Sequence, residues 1–266
     1  MIKSSFKKRI FFWLLSFGFN VKTFINFIPG FFLTTKNYIT IKKQINKKKN
    51  IIPISYNMPY FNNIFEQSGY VDSHYFYQDN FIATEIYKNN PKKHVDIGSR
   101  IDGFISMVSI FRKVEVFDIR PLNIKLDNVI FKRVDVLDEN FNLNNYCDSL
   151  SCLHTLEHFG LGRYGDDINI ESFDNGFSIL HKILKKNGIL YLSVPIGFDK
   201  IEFNAHRVTS IKTLLSMIKN KFSIISFSFV DDNGLFFKNV KITKESVHDN
   251  FGCDYGCGIF LLKKII

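Results

Sequence analysis

The first fifty residues of this 266-residue chain contain no aspartate or glutamate, although they contain eleven lysines and arginines. The remainder has 24 basic and 25 acidic residues, so the net charge of +10 belongs to the N-terminal segment. A nucleic-acid-binding domain would have its basic surface on the folded body. We therefore predict no nucleic-acid partner and expect residues 1–50 to meet an anionic partner such as a membrane surface.

The chain also lacks a common zinc-site spacing and a membrane-spanning run. No two of its four cysteines form C-x-x-C, so we predict no bound metal and interpret them as buried thiols in a reducing cytoplasm. Cys253 and Cys257 lie in the stretch FGCDYGCG, for which a glycine-rich turn before the last strand is our interpretation and a metal site the alternative. No apolar run reaches the roughly 20 residues that cross a bilayer.

The N-terminal segment instead has aromatic, apolar runs between lysines. Residues 6–19 read FKKRIFFWLLSFGF, which imitates a secretory signal, but no small-residue cleavage site follows. Such a run is typical of a helix that lies in the membrane interface, and residues 42–50 then form a linker or contact lipid headgroups. The alternative is packing on the folded body through four apolar side chains, namely Phe11, Trp13, Leu14 and Phe17.

Short apolar strands alternate with amphipathic helices from residue 73 onward. The predicted strands are 94–98, 114–119, 129–136, 147–153, 188–195, 222–230 and 255–264. The predicted helices are 74–89, 102–112, 171–186 (ending at Asn187-Gly188) and 209–220. This alternation predicts an α/β, Rossmann-like, doubly wound and mostly parallel sheet whose last two strands pair antiparallel. We place this domain at residues 70–266, after a basic N-terminal segment and linker at 1–69.

Acidic residues stand at the ends of the first three predicted strands. The first strand leads into the loop Asp96-Ile97-Gly98-Ser99, the second ends at Asp118 and the third at Asp135. Ligands of doubly wound sheets bind at the carboxyl edge near the reversal of strand order. Gly98 lets the backbone approach a ligand, Asp118 suits two ribose hydroxyls, and Asp135 suits an adenine amino group. The set predicts a nucleoside-containing cofactor.

Together with four longer stretches, this arrangement resembles the class I S-adenosylmethionine-dependent methyltransferases. The stretches are LHTLEHFGLGRYGD (153–166), SVPIG (193–197), FNAHRV (203–208) and FVDDNG (229–234). They look like an uncharacterised methyltransferase-like subgroup found among bacterial surface-polysaccharide genes. The resemblance implies S-adenosylmethionine as cofactor and a seven-stranded sheet in the order 3-2-1-4-5-7-6.

The resemblance also implies roles for individual residues. Asp96, Gly98 and Asp118, with Ser99 in the same loop, would line the methionine and ribose sites, and Asp135 the adenine site. The family prefers a second glycine where Arg100 stands. A side chain of this size crowds the methionine end or reaches a carboxylate or phosphate of the substrate.

The loop after the fourth predicted strand has the most reactive side chains. Methyl transfer to a hydroxyl needs an aligned acceptor and a group that removes its proton. His154 is our first candidate for this base and His206 the second, with Glu157 orienting a histidine or capping a helix. His158 is either a structural hydrogen-bond donor or a catalyst. Four residues are candidates for binding a sugar or phosphate acceptor, namely Arg163, Tyr164, Asn204 and Arg207.

Residues 154–158 also match H-x-x-E-H, a zinc hydrolase motif. They begin at a strand end and run into glycines, whereas the motif needs a helix, so we do not favour zinc hydrolysis.

Our prediction is a cytoplasmic bacterial methyltransferase, held at the inner membrane face by residues 1–50, that acts on a sugar hydroxyl of a nucleotide sugar or surface glycan precursor. Two alternatives remain open. One is a sugar-modifying or glycosyl-transferring enzyme of the same fold that transfers no methyl group, and the other is a non-catalytic scaffold in glycan assembly.

Overall fold

The computed structural model of this chain describes residues 10, 13–47, 53–66, 68–69 and 71–266. It divides the chain into two compact units, Met1–Val71 and Asp72–Ile266. The predictions made for Phe11 and for residues 48–50 lie outside the described residues.

The N-terminal unit is built on one long helix, α1 (Val21–Lys47). The chain returns along this helix and forms a short 3-10 turn at Asn63–Phe65. Gly30 makes the close approach possible, because a Cβ at this position would collide with the backbone of Phe61. None of the described helices has the length and apolar character needed to cross a bilayer.

The second unit contains an eight-stranded sheet and a small antiparallel hairpin. Its strands are β1 (His94–Ile97), β2 (Val114–Asp118), β3 (Val129–Arg133), β4 (Cys147–Leu153), β5 (Leu184–Ile196), β6 (Lys200–Glu202), β7 (His206–Val208), β8 (Phe222–Val230), β9 (Phe236–Phe237) and β10 (Gly256–Lys264). The sheet order is β3-β2-β1-β4-β5-β10-β8-β9, and β6 pairs with β7. Strands β1 to β5 are parallel, whereas β10 runs antiparallel between β5 and β8.

This topology confirms the predicted Rossmann-like α/β fold and the antiparallel pair at the end of the chain. The order of the seven long strands is the one that the resemblance implied. The eighth strand was not predicted. It forms because a turn at Asp231–Gly234 sends the chain back, so that Phe236 and Phe237 pair with the end of β8.

Helices cover both faces of the sheet. They are α2 (Ser73–Asn89), α3 (Ser106–Ser109, preceded by a π-helical turn at Ile101–Ile105), α4 (Ser172–Ile183), α5 (Ile211–Ile218) and α6 (Lys244–Asp249). Strand β5 shows why two layers are needed, since its side chains alternate between the faces. Leu190, Leu192 and Val194 join the core under α4 and α5, while Tyr191 joins the core under α2 and α3.

The predicted helix end at Asn187-Gly188 is wrong. Helix α4 ends at Ile183, and β5 already begins at Leu184, which pairs with Cys147. The Lys264 ammonium replaces a glycine cap, because it donates hydrogen bonds to the carbonyls of His181 and Leu184. Asn187, with φ of 63°, lies at an irregularity within the strand.

Candidate functional site

A cavity of about 290 Å³ opens at the carboxyl ends of β1, β2 and β4, where the strand order reverses. One end is lined by the residues that follow β1, β2 and β3. The other end is lined by the loop after β4 and by Tyr75 of α2. We call these the strand-end side and the histidine side.

Gly98 shapes the strand-end side. Its φ of 71° lies in the left-handed region, and a Cβ there would strike the side chain of Thr155. Its amide donates to the carbonyl of Phe117, which fixes the loop after β1 against the end of β2. Only glycine satisfies both the backbone conformation and the close approach.

Asp118 and Asp135 also line the strand-end side. Asp118 is half-buried at the end of β2, whereas Asp135 is exposed two residues beyond the end of β3. One Asp135 carboxylate oxygen accepts from the amide of Leu137, which leaves the other oxygen without a partner in the described structure. The cavity therefore presents two carboxylates that belong to the ends of the neighbouring strands β2 and β3.

Asp96 and Ser99 lie beneath this side and do not line the cavity. The Asp96 carboxylate accepts hydrogen bonds from the amide and hydroxyl of Ser99 and from the hydroxyl of Ser151. Burial raises the pKa of Asp96 to about 7, although these hydrogen bonds favour its charged form. Asp96 thus braces the loop that bears Gly98.

Arg120 is a cavity residue that the sequence did not reveal. Its guanidinium pairs with both oxygens of Asp118, donates to the carbonyl of Gly98 at 3.2 Å and lies 4.7 Å from the ring of Tyr164. Arg120 is therefore paired with the carboxylate that we predicted to accept hydrogen bonds from the ribose hydroxyls. The spacing of two residues between an acid at a strand end and an arginine was the available signal, because a turn there folds the arginine back.

His154 is the central residue of the histidine side. It follows β4 directly, lines the cavity and has a φ of 47°, which is uncommon for a residue other than glycine. Its Nδ1 lies 2.8 Å from Oε1 of Glu157, and its buried Nε2 makes no hydrogen bond to the described residues. The imidazole is therefore held by a hydrogen bond at Nδ1, and Cys257 is the other side chain that acts on it.

Glu157 is buried with the imidazole, and Oε2 of its carboxylate has no partner among the described residues. Burial acts to lower the pKa of His154, but the Cys257 and Glu157 side chains raise it well above its usual value. Burial opposes the charge of Glu157 as well, and His154 nevertheless lowers its pKa. These opposite shifts favour the protonated imidazole beside the charged carboxylate.

Two side chains of α2 enclose His154. The ring of His74 stacks on it with centroids 5.8 Å apart, and the ring of Tyr75 lies at 5.2 Å. Burial lowers the pKa of His74 to about 4, and the nearby His154 charge acts in the same direction. His74 is therefore neutral beside a charged neighbour.

Three predicted acceptor-binding residues line the cavity. Arg100 pairs with both carboxylate oxygens of Asp102 and lies 5.3 Å from the ring of Tyr75, so it is turned to one wall. Arg163 donates to the carbonyl of Ala205 and lies 5.3 Å from the ring of Tyr164. Both Arg163 and Tyr164 are partly exposed to solvent at the cavity.

His158 links two loops at the same place. Its Nδ1 donates to the carbonyl of Ala205 at 2.6 Å, which ties the loop after β4 to the hairpin of β6 and β7. Burial lowers its pKa, so the ring is neutral. This bond is the structural role that we considered for His158 from the sequence.

His206, Asn204 and Arg207 do not line the cavity. The guanidinium of Arg207 is buried and donates to three backbone carbonyls, namely those of Glu157, Phe159 and Ile170. Asn204 lies exposed in the turn between β6 and β7. His206 packs on Tyr255 at 4.9 Å, and burial lowers its pKa to about 4.

The H-x-x-E-H residues do not form a zinc site of the hydrolase kind. Leu156–His158 is a single 3-10 turn, and the two histidines contact the glutamate between them instead of facing one point across a helix. Within the described ranges, no three His, Cys, Asp or Glu side chains are placed to hold a metal ion. All four cysteines are buried free thiols.

Solved structures similar to this chain include three methyltransferases. N-methyltransferase NodS from Bradyrhizobium japonicum WM9 with S-adenosyl-L-homocysteine is 10% identical, and the match covers 71% of this chain and 85% of that chain with a TM-score of 0.48. An S-adenosylmethionine-dependent methyltransferase from Clostridium acetobutylicum is 14% identical, with 73% of this chain and 94% of that chain covered and a TM-score of 0.48. The 1,6-didemethyltoxoflavin-N1-methyltransferase from Burkholderia thailandensis with bound 1,6-didemethyltoxoflavin and S-adenosylhomocysteine is 11% identical, with 72% and 80% covered and a TM-score of 0.46. No match was found among curated proteins.

A family profile matches residues 116–265, from β2 to the end of β10. Its description names Caenorhabditis and no bacterial polysaccharide genes, so the subgroup expected from the sequence is not supported by this match. The match covers more than half of the chain and includes Asp118, Asp135 and the loop after β4. The chain therefore belongs to the family described as "Caenorhabditis protein of unknown function, DUF268".

Proposed function

We propose that the chain is an S-adenosylmethionine-dependent methyltransferase that acts on a sugar hydroxyl of a nucleotide sugar or surface glycan precursor. The observation that supports this most directly is one cavity lined by Gly98, Asp118 and Asp135 on one side and by His154 on the other. Carboxylates for a nucleoside and an imidazole for an acceptor are the two parts that methyl transfer to a hydroxyl requires.

The donor set on the strand-end side suits the polar groups of adenosine. The Asp118 carboxylate has about four lone-pair sites, so it can accept two ribose hydroxyls when Arg120 gives up part of its pair. The free oxygen of Asp135 can accept from an adenine amino group, and the backbone of Gly98 lines the same side of the cavity. When bound, the cofactor supplies a methyl group on a positively charged sulfur.

His154 would remove the acceptor proton. Glu157 holds Nδ1, so Nε2 is the nitrogen left to receive a proton from the acceptor hydroxyl. Because the pKa of the imidazole is raised, a ring that carries a proton at Nε2 must first lose it, and a positive charge brought beside the ring favours that loss. Glu157 is a positioning residue that orients the ring and stabilises the imidazolium formed in the reaction.

The acceptor would bind where Arg163 and Tyr164 meet solvent. Arg163 has no carboxylate partner in the described part of the chain, and its guanidinium is suited to a phosphate of a nucleotide sugar or lipid-linked sugar. The aromatic face of Tyr164 offers a surface for a sugar ring. We place this activity on the cytoplasmic side of a membrane.

Calorimetry with the full chain tests the proposal. S-adenosylmethionine and S-adenosylhomocysteine should both bind with micromolar Kd, and adenosine monophosphate, which lacks the amino-acid part, should bind more weakly. Asp135→Asn should weaken both cofactor ligands, and Asp127→Asn, an exposed acid outside the cavity, is the matched control.

Absence of binding by both cofactor ligands at millimolar concentration would overturn the proposal. Binding of a uridine-diphosphate sugar in their place would favour the enzyme of the same fold that transfers no methyl group. The acceptor is then addressed by mass spectrometry of the surface glycan from cells lacking the protein, in which one methyl group per repeat should be missing.

A further inference from the structure

Helix α1 has one face covered by its own unit. The rings of Phe27 and Phe31 pack on Phe61, with centroids 5.2 and 5.7 Å apart. Further along the helix, the ring of Tyr38 packs on Tyr56 at 4.9 Å. The segment at 53–66 therefore covers one side of the helix, whereas large apolar side chains turned away from this segment are exposed.

The opposite side presents large apolar residues to solvent. Ile25, Ile28, Phe32 and Ile39 follow one another at intervals of three, four and seven residues, which places them on a single stripe of an α-helix. Their exposed fractions are 63%, 57%, 68% and 48%. Exposure of this extent along one stripe marks an interaction surface and not chance scatter.

Two lysines belong to the same stripe. Lys36 and Lys43 continue the spacing at four residues beyond Phe32 and beyond Ile39, and both are exposed. Neither forms an ion pair with an acid in the described part of the chain, and residues 1–50 contain no acid. We call Ile25, Ile28, Phe32, Lys36, Ile39 and Lys43 the outer face of α1. It is ~27 Å long at the ordinary rise of a helix.

We propose that the outer face of α1 binds an anionic lipid surface, with the helix lying in the plane of the membrane. Apolar side chains between unpaired lysines match the acyl boundary and the headgroups of such a surface. The helix does not have the apolar length to cross the bilayer, which is consistent with a position along its surface. Pairing of two copies through this face would bring like-charged lysines together, so the charges favour lipid over a second copy.

Sedimentation with vesicles tests this inference on the full chain. Binding should be strong to vesicles of phosphatidylglycerol and phosphatidylcholine, weak to pure phosphatidylcholine, and reduced by salt. Ile28→Ser with Phe32→Ser should lower the partition coefficient at least about tenfold. The matched control is Ile110→Ser with Phe198→Ser, which removes exposed residues of the same types from the second unit and should leave binding unchanged.

Reversing the charge of the two lysines tests the inference independently of the apolar side chains. Lys36→Glu with Lys43→Glu should lower binding to the anionic vesicles by about fivefold or more per lysine and flatten its salt dependence. Circular dichroism and thermal unfolding should be the same for all variants, which shows that they are folded. The vesicle measurement does not depend on the proposed methyl transfer, so either result can fail alone.

Three outcomes would overturn the inference. They are equal binding to neutral and anionic vesicles, unchanged binding after loss of Ile28 and Phe32, and a dimer in ultracentrifugation that the same double variant dissolves. The last would assign the outer face to a second copy of the chain.

Discussion

The two sides of the cavity are built in different ways. On the strand-end side, Gly98, Asp118 and Asp135 lie at or just beyond the ends of strands. The carboxylate of Asp118 pairs with Arg120, and that of Asp135 is exposed to solvent. On the histidine side, His154 and Glu157 are buried together, and each has an atom that no described residue satisfies. In the function that we propose, the first side holds the cofactor and the second moves a proton.

The histidine side is costly to maintain. A non-glycine residue at positive φ costs on the order of 1–3 kcal/mol, and His154 adopts that conformation. A buried carboxylate oxygen without a donor costs about as much again, and Oε2 of Glu157 is such an atom. Strained backbone and unsatisfied buried atoms destabilise the fold, so they are retained mainly at functional sites.

The largest effect should come from removing the imidazole. His154→Ala should lower methyl transfer by about 10²–10⁴-fold, the usual contribution of a general base, and leave the affinity for S-adenosylhomocysteine nearly unchanged. Transfer of labelled methyl groups to a glycolipid extract of the source cells measures the rate. Retained turnover would remove His154 from the base role.

Loss of the carboxylate that holds the imidazole should have the next largest effect. Glu157→Gln should lower the rate by up to about 10²-fold, because the ring loses its orientation. The pKa of His154 should fall, since Glu157 holds it above its usual value. The base form then appears at lower pH, so the rising limb of the rate–pH profile should move toward acid. A rate loss with an unmoved limb would mean that Glu157 is structural only.

The strand-end side should respond in affinity and not in rate. Asp118→Ala should weaken S-adenosylhomocysteine binding by about 10–100-fold, as expected for hydrogen bonds to a charged group. Turnover at saturating cofactor should change little. If the loss appeared in turnover instead, the two sides of the cavity would not divide binding from chemistry as we infer.

Arg120 should give the smallest effect. Because its pair with Asp118 is partly exposed, the pair is worth little, about 0–1 kcal/mol. Arg120→Met frees the carboxylate for the ribose, so S-adenosylhomocysteine should bind up to about fivefold more tightly in calorimetry. Weaker binding would show that Arg120 contacts the ligand and does not compete with it.

The same contrast explains what the sequence could predict. Alternating apolar strands and helices predicted the sheet, because burial on both faces leaves residues 188–196 of β5 almost continuously apolar. The positions of Asp118 and Asp135 followed from strand ends alone. Arg120 and Tyr75 were missed, because the first depends on a turn that folds it back and the second on how α2 packs.

Side-chain partners distant in the chain were beyond prediction. Arg207 looked like a substrate residue because arginine often binds phosphate, but its guanidinium meets three backbone carbonyls. Asn187-Gly188 looked like a helix end, but Lys264, near the end of β10, caps the helix earlier. In both cases the deciding contact comes from another part of the fold.

A crystal structure with S-adenosylhomocysteine would show whether a nucleoside binds on the strand-end side. We predict the ribose hydroxyls on the carboxylate of Asp118, the adenine beside Asp135, and Arg120 withdrawn from at least one Asp118 oxygen. The sulfur should face His154. A structure in which Arg120 still held both oxygens of Asp118, and the ligand lay elsewhere or was absent, would contradict the account.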